Sequence, residues 1–111
     1  MIPGFWAGEK GKRCTSMARR KLTDDELADA LANLPGWTVQ AGKLHKEYTF
    51  ASFAEAMGWL VTVAIAADKM DHHPEWGNVY NRVRVDLVTH DLGNVISNLD
   101  VALAQKMEAA A

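Results

Sequence analysis

The 111-residue sequence holds one cysteine, Cys14, and only three prolines. A single cysteine excludes an intramolecular disulfide framework and a cysteine-built zinc site. No apolar run reaches the roughly 20 residues of a membrane-spanning helix. Neither sign of charge dominates: 12 Lys and Arg stand against 14 Asp and Glu, for a net charge of -2. A general affinity for nucleic acid is therefore not expected. The eight glycines form no phosphate-cradling loop, no serine sits in a G-x-S-x-G elbow, and no repeat of solenoid period is present. What is there is 49% hydrophobic and 23% charged, the composition of one soluble globular domain. A chain of this length buries roughly two-thirds of its unfolded surface and needs no covalent or metal staple.

The balance of charge conceals an uneven distribution. Residues 1–21 carry six of the twelve basic side chains and one acid, Glu9. This arm contains Pro3, Gly4, Gly8 and Gly11, lacks hydrophobic periodicity, and has a second methionine at Met17. It reads as a disordered or non-native basic arm ahead of a domain spanning 22–111. It lacks the continuous apolar segment of a signal peptide. A cytoplasmic location is the expectation, with a nuclear pool left open.

Within the domain, Thr23 opens T-D-D-E, a capping box that starts a helix running to Pro35-Gly36. Trp37 to Gln40 and Lys43 to Phe50 read as strands of a hairpin turning at Ala41-Gly42. Alternation puts Leu44, Lys46, Tyr48 and Phe50 on one face and His45, Glu47 and Thr49 on the other. Ser52 caps a helix from Phe53 to about Met70, apolar almost all round and so expected to be covered on more than one side. Asp71 to Trp76 reads as a loop. Asn78 to His90 alternates as two strands or one bent strand broken near Asn81-Arg82, and Asp91 to Asn94 is a loop. Ile96 to Ala111 is a last helix with a Leu99, Leu103, Met107 stripe. No crossover demands parallel strands. The expected fold is α+β: a four-stranded antiparallel sheet with three helices packed on one face.

Three of the four histidines fall in two blocks at the ends of regular elements, D-H-H-P-E-W and T-H-D. His45, alone on the polar face of a strand, is taken as a solvated residue. His72 and His73 are adjacent, beside Asp71, and Pro74 favours an extended His73. With His90 they could supply metal donors, but no H-x-H or H-x-x-x-H spacing is present, and adjacent ligands serve one metal poorly. Imidazole, with a pKa near 6.5, gives and takes protons near neutrality. Metal-free acid–base chemistry is therefore the preferred reading, with Trp76 either a pocket wall or a core residue.

The stretch D-K-M-D-H-H-P-E-W-G-N-V-Y-N-R-V, Asp68 to Val83, followed by V-T-H-D, Val88 to Asp91, resembles the signature of the pterin-4a-carbinolamine dehydratases. The likeness extends from the L-T-D-D-E helix start through L-P-G-W to the final helix, about residues 22–108. It implies dehydration of a 4a-hydroxytetrahydropterin to the quinonoid dihydropterin, in tetrahydrobiopterin recycling for aromatic amino acid hydroxylases. The resemblance assigns catalysis to His72, His73 and His90, and pterin contacts to Asp71, Pro74, Trp76, Val88, Thr89 and Asp91. Asp68 is a supporting residue where the family often has glutamate. No metal and no cofactor are implied, since the pterin is the substrate. Gly77 stands where some members carry a larger residue. An aspartate follows the last histidine loop in the family; Asp100 is the candidate, but the loop before it reads one residue longer, and Asp100 is not assigned to the site. The resemblance also implies a homodimer or homotetramer, here through the apolar helix 53–70 and the sheet edges, with a protein partner left open. Pterin binding without significant turnover, or service as a transcription-factor dimerisation cofactor, is the alternative function.

Overall fold

The computed structural model describes residues 18–111. The basic arm lies outside the described residues up to position 17. Helix α1, Asp24–Ala32, begins as its capping box requires: Thr23 Oγ1 accepts from the Glu26 amide, and Glu26 accepts from the Thr23 amide. Arg20 pairs with the same carboxylate at 2.7 Å. That pairing holds the Glu26 pKa down at about 2.

Strands β1, Thr38–Gln40, and β2, Lys43–Thr49, form the expected hairpin. Its two turn residues, Ala41 and Gly42, both have positive φ, the mirror-type turn whose twist suits two strands. Helix α2, Phe53–Met70, follows under a Ser52 cap. Strands β3, Glu75–Val79, and β4, Arg82–Leu87, make a second hairpin turning at Tyr80-Asn81. A short 3-10 turn, His90–Leu92, leads to helix α3, Asn98–Ala110. The sheet order is β1-β2-β4-β3, antiparallel throughout.

Period-two alternation decides the inner face. Leu44, Tyr48, Val83, Val85 and Leu87 point inward and are buried against Trp59, Leu60 and Val63 of α2 and Leu103 and Met107 of α3. Leu27 and Leu31 of α1 pack on the same core. The fold is thus the expected α+β arrangement of three helices and one four-stranded antiparallel sheet.

Two local expectations are corrected. Glu75 and Trp76 belong to β3 rather than to a loop, since pairing with Asp86 and Val85 of β4 begins immediately after Pro74. Gly77 is likewise a strand residue; a Cβ there would come within 3.1 Å of the Arg84 guanidinium, which lies over it. Helix α3 starts at Asn98, not Ile96, because Ser97 caps it.

Candidate active site

Two chain reversals bring the histidines together. Asp71 ends α2 in the left-handed region, and its amide and that of His72 return to carbonyls of the last turn. That turn sends His72 inward and leaves His73 outward. His72 is buried, and its Nε2 lies 2.5 Å from Asp100 Oδ1 at the start of α3. His73 is exposed, with Nε2 3.4 Å from Asp68 Oδ1, one turn back on α2.

His90 arrives from the other side, three residues past the end of β4. Its Nδ1 is 2.7 Å from Asn94 Oδ1, and its Nε2 is 3.1 Å from Glu75 Oε2. Glu75 also accepts from Lys43 Nζ at 2.6 Å. This hydrogen bond, with the charges of Lys43 and His90, holds the Glu75 carboxyl below the usual carboxylate range. Each of the three histidines therefore has its own carboxylate: Asp100, Asp68 and Glu75. A carboxylate against one ring nitrogen fixes the orientation of an imidazole.

Asp100 is the most heavily used of these acids. It is fully buried, yet its Oδ2 accepts from the Ser97 amide at 2.8 Å and from Thr89 Oγ1 at 2.9 Å. Thr89 is held in turn against Ser97 Oγ at 2.6 Å. A buried carboxylate is tolerated when its lone pairs are matched in this way. The Ser97–Asp100 pair is also the capping box of α3, so one carboxylate both starts a helix and orients a histidine.

Arg19, Asp71, His72, His73, Val88, His90 and Asp91 line a cleft of about 290 Å³. Of the residues expected at the site, Asp71, Val88 and Asp91 join the histidines there. Thr89 lies beneath, buried against Asp100. Asp68, Pro74 and Trp76 line an adjoining apolar groove of about 510 Å³ along α2 that shares His73 with the cleft. Trp76 also stacks obliquely on Trp59, ring centroids 6.2 Å apart, so it is wall and core at once. His45 lines neither space; it pairs with Asp86 at 2.7 Å on the outer face of the sheet, rather than standing solvated. Among the described residues, no three His, Cys, Asp or Glu side chains converge as a metal-ligand set.

Sequence reasoning left out Glu75, Asn94 and Arg19, and named Asp100 without assigning it to the site. For Asp100 a local signal exists: S-N-L-D is a serine with an acid three residues on, the mark of a helix start.

The sequence profile of the Pterin 4 alpha carbinolamine dehydratase family matches residues 20–110. The chain belongs to that family. A relative in Solibacter usitatus, provisionally named a pterin-4-alpha-carbinolamine dehydratase, is 48% identical over 91 residues, covering 82% of this chain and 95% of its own. Another of that provisional name, in a Jannaschia species, is 52% identical over 95 residues, covering 82% and 96%. A crystal structure of a transcriptional coactivator/pterin dehydratase from Brucella melitensis superposes with a TM-score of 0.78 at 41% identity, over 83% of this chain and 99% of the other. The dehydratase family match spans both histidine blocks and every element from α1 to α3. Among the described residues no helix is long and apolar enough to cross a membrane.

Proposed function

We propose that this chain dehydrates a 4a-hydroxytetrahydropterin to the quinonoid dihydropterin by histidine acid–base catalysis, without metal or cofactor. The observation that carries this reading is the convergence of His72, His73 and His90 on one cleft, each against a separate carboxylate. The reaction asks for one proton given and one taken. Protonation of the 4a-hydroxyl lets the C4a–O bond break, its electron pair leaving with water. Removal of the N5 proton lets that nitrogen's electron pair form the C4a–N5 double bond. His73 and His90, both open to the cleft, serve the leaving hydroxyl; His72, held by Asp100, serves N5. Recycling of tetrahydrobiopterin for aromatic amino acid hydroxylases, in the cytoplasm, is the context this activity fits.

The test generates the 4a-carbinolamine enzymatically and follows its loss optically, with the native chain, His73→Ala and a chelator-treated sample. The native chain should accelerate dehydration, the chelator should change nothing, and His73→Ala should lose roughly 10²-fold or more, as loss of an acid–base group does. No acceleration over buffer by the native chain would leave pterin binding or partner dimerisation as the function instead.

A further inference from the structure

The residues that straddle the start of the family match form a strap. Residues 18–22 run alongside Ile96 to Asn98: the Leu22 amide donates to the Ile96 carbonyl at 3.2 Å, and the Asn98 amide to the Arg20 carbonyl at 3.2 Å. The Asn98 side chain closes both of its ends on the same segment, accepting from the Arg20 amide and donating to the Ala18 carbonyl, each at 2.9 Å. This zipper fixes the backbone on either side of Arg19 and delivers its side chain to the mouth of the cleft. There Nη1 donates to Asp91 Oδ2 at 2.8 Å, and Nη2 donates to the Asp71 carbonyl at 2.9 Å, with Asp71 Oδ2 at 3.7 Å. Asp71 immediately precedes His72 and His73; Asp91 immediately follows His90. One planar guanidinium thus joins the two chain reversals that carry the three imidazoles. Arg19 itself lies outside the 20–110 family match.

We propose that Arg19 is a positioning residue, a guanidinium clamp that holds the His72–His73 loop and the His90 turn at one separation; this rests on the dehydratase reading of the cleft. Two partners in different directions need a rigid fork of donors, which an ammonium does not provide. An exposed ion pair contributes little to global stability, so the clamp acts on geometry rather than on folding.

The experiment compares the full chain with Arg19→Ala and Arg19→Lys in the carbinolamine assay and in amide hydrogen exchange. Arg19→Ala should lower kcat by about tenfold, within the range that small misplacements of reacting groups produce. KM should move by less than about threefold, because the lost interaction matters to the transition state rather than to binding. Arg19→Lys should recover little of that loss. Exchange at residues 71–73 and 89–92 should quicken in both variants, while the thermal midpoint stays close to that of the native chain. Native kcat in Arg19→Ala, full recovery in Arg19→Lys (a role for charge alone), or unchanged exchange at both loops would each overturn the clamp. A native chain that fails to accelerate dehydration sinks the dehydratase reading instead, and the exchange measurement then decides the clamp by itself.

Discussion

At the scale of single residues, the site is a set of histidine–carboxylate pairs whose partners differ sharply in burial. The Asp68–His73 and Glu75–His90 pairs stand in water, where an ion pair contributes about 1 kcal/mol or less. The Asp100–His72 pair is enclosed, and Asp100 also serves the Ser97 amide and Thr89 Oγ1. This difference predicts what Asp100→Asn does. The Asn carbonyl can keep accepting from Ser97 and Thr89, so α3 stays capped and the fold survives. Its amide nitrogen then faces His72 Nε2 as a donor, which forces that nitrogen to accept and reverses the tautomer. Dehydration should fall about 10²-fold, on the scale of a lost acid–base group. The thermal midpoint should drop by only a few degrees, about what 1 kcal/mol does to a domain of this size. Loss of folding together with activity, seen by circular dichroism, would show that the carboxylate serves packing alone. Asp100 was hard to read from sequence because its partner His72 is 28 positions away; no spacing rule links a helix start to a distant loop.

At the scale of elements, what was legible is what is local. The T-D-D-E box fixed the start of α1, and Ser52 with an uninterrupted apolar run fixed α2 over the observed Phe53–Met70. The start of β3 escaped notice because Glu75, Trp76 and Gly77 show no alternation; they are a strand only because β4 pairs with them. Arg19 escaped for the same reason, its place being set by Asn98. Helix α2 itself poses a question of covering. Its inner face, with Ala56, Trp59, Leu60, Val63 and Ala67, is buried, whereas Val61 and Ile65, four residues apart, are 58% and 57% exposed. The near-continuous apolar sequence is thus only half satisfied by this chain. Self-association along α2 would cover it. Light scattering should give a mass above that of one chain, and Val61→Asp with Ile65→Asp should return it to the monomer. Each lost aliphatic contact removes about 1.5–3 kcal/mol of burial, and both positions are exposed enough in the single chain to leave its own core intact. A native chain that stays monomeric at high concentration would rule this out.

At the scale of the whole molecule, one side-chain cluster ties the C-terminal helix to the first hairpin and makes stability depend on pH. Glu108, near the end of α3, accepts from Trp37 Nε1 at 3.0 Å, from Lys46 Nζ at 2.6 Å and from the Tyr48 hydroxyl. Burial alone would raise its pKa, but these three donors outweigh burial and hold the carboxyl below its usual range. Burial and the adjacent carboxylate push the Tyr48 phenol the other way, upward. The signs follow from linkage. A depressed carboxyl stabilises the fold above the unfolded pKa of about 4.3, and that stability is lost as pH falls through the lower folded value. A raised phenol stabilises the fold below its unfolded pKa of about 10, and that stability is lost as pH rises further. Stability should therefore show a plateau between these limits and decline on both sides. Glu108→Gln keeps the shape but removes the charge that Lys46 and Tyr48 address, so it should cost about 1–3 kcal/mol at pH 7. In the native chain that same contribution disappears as Glu108 protonates. Urea denaturation across the acid limb should accordingly find the gap between native and Glu108→Gln narrowing as pH falls from 5 towards 3. The exposed Arg20–Glu26 pair contributes to the same limb only weakly, since salt screens it. A gap that stays constant over this range would place the origin of the effect in packing, and the acid limb would then belong to other carboxylates.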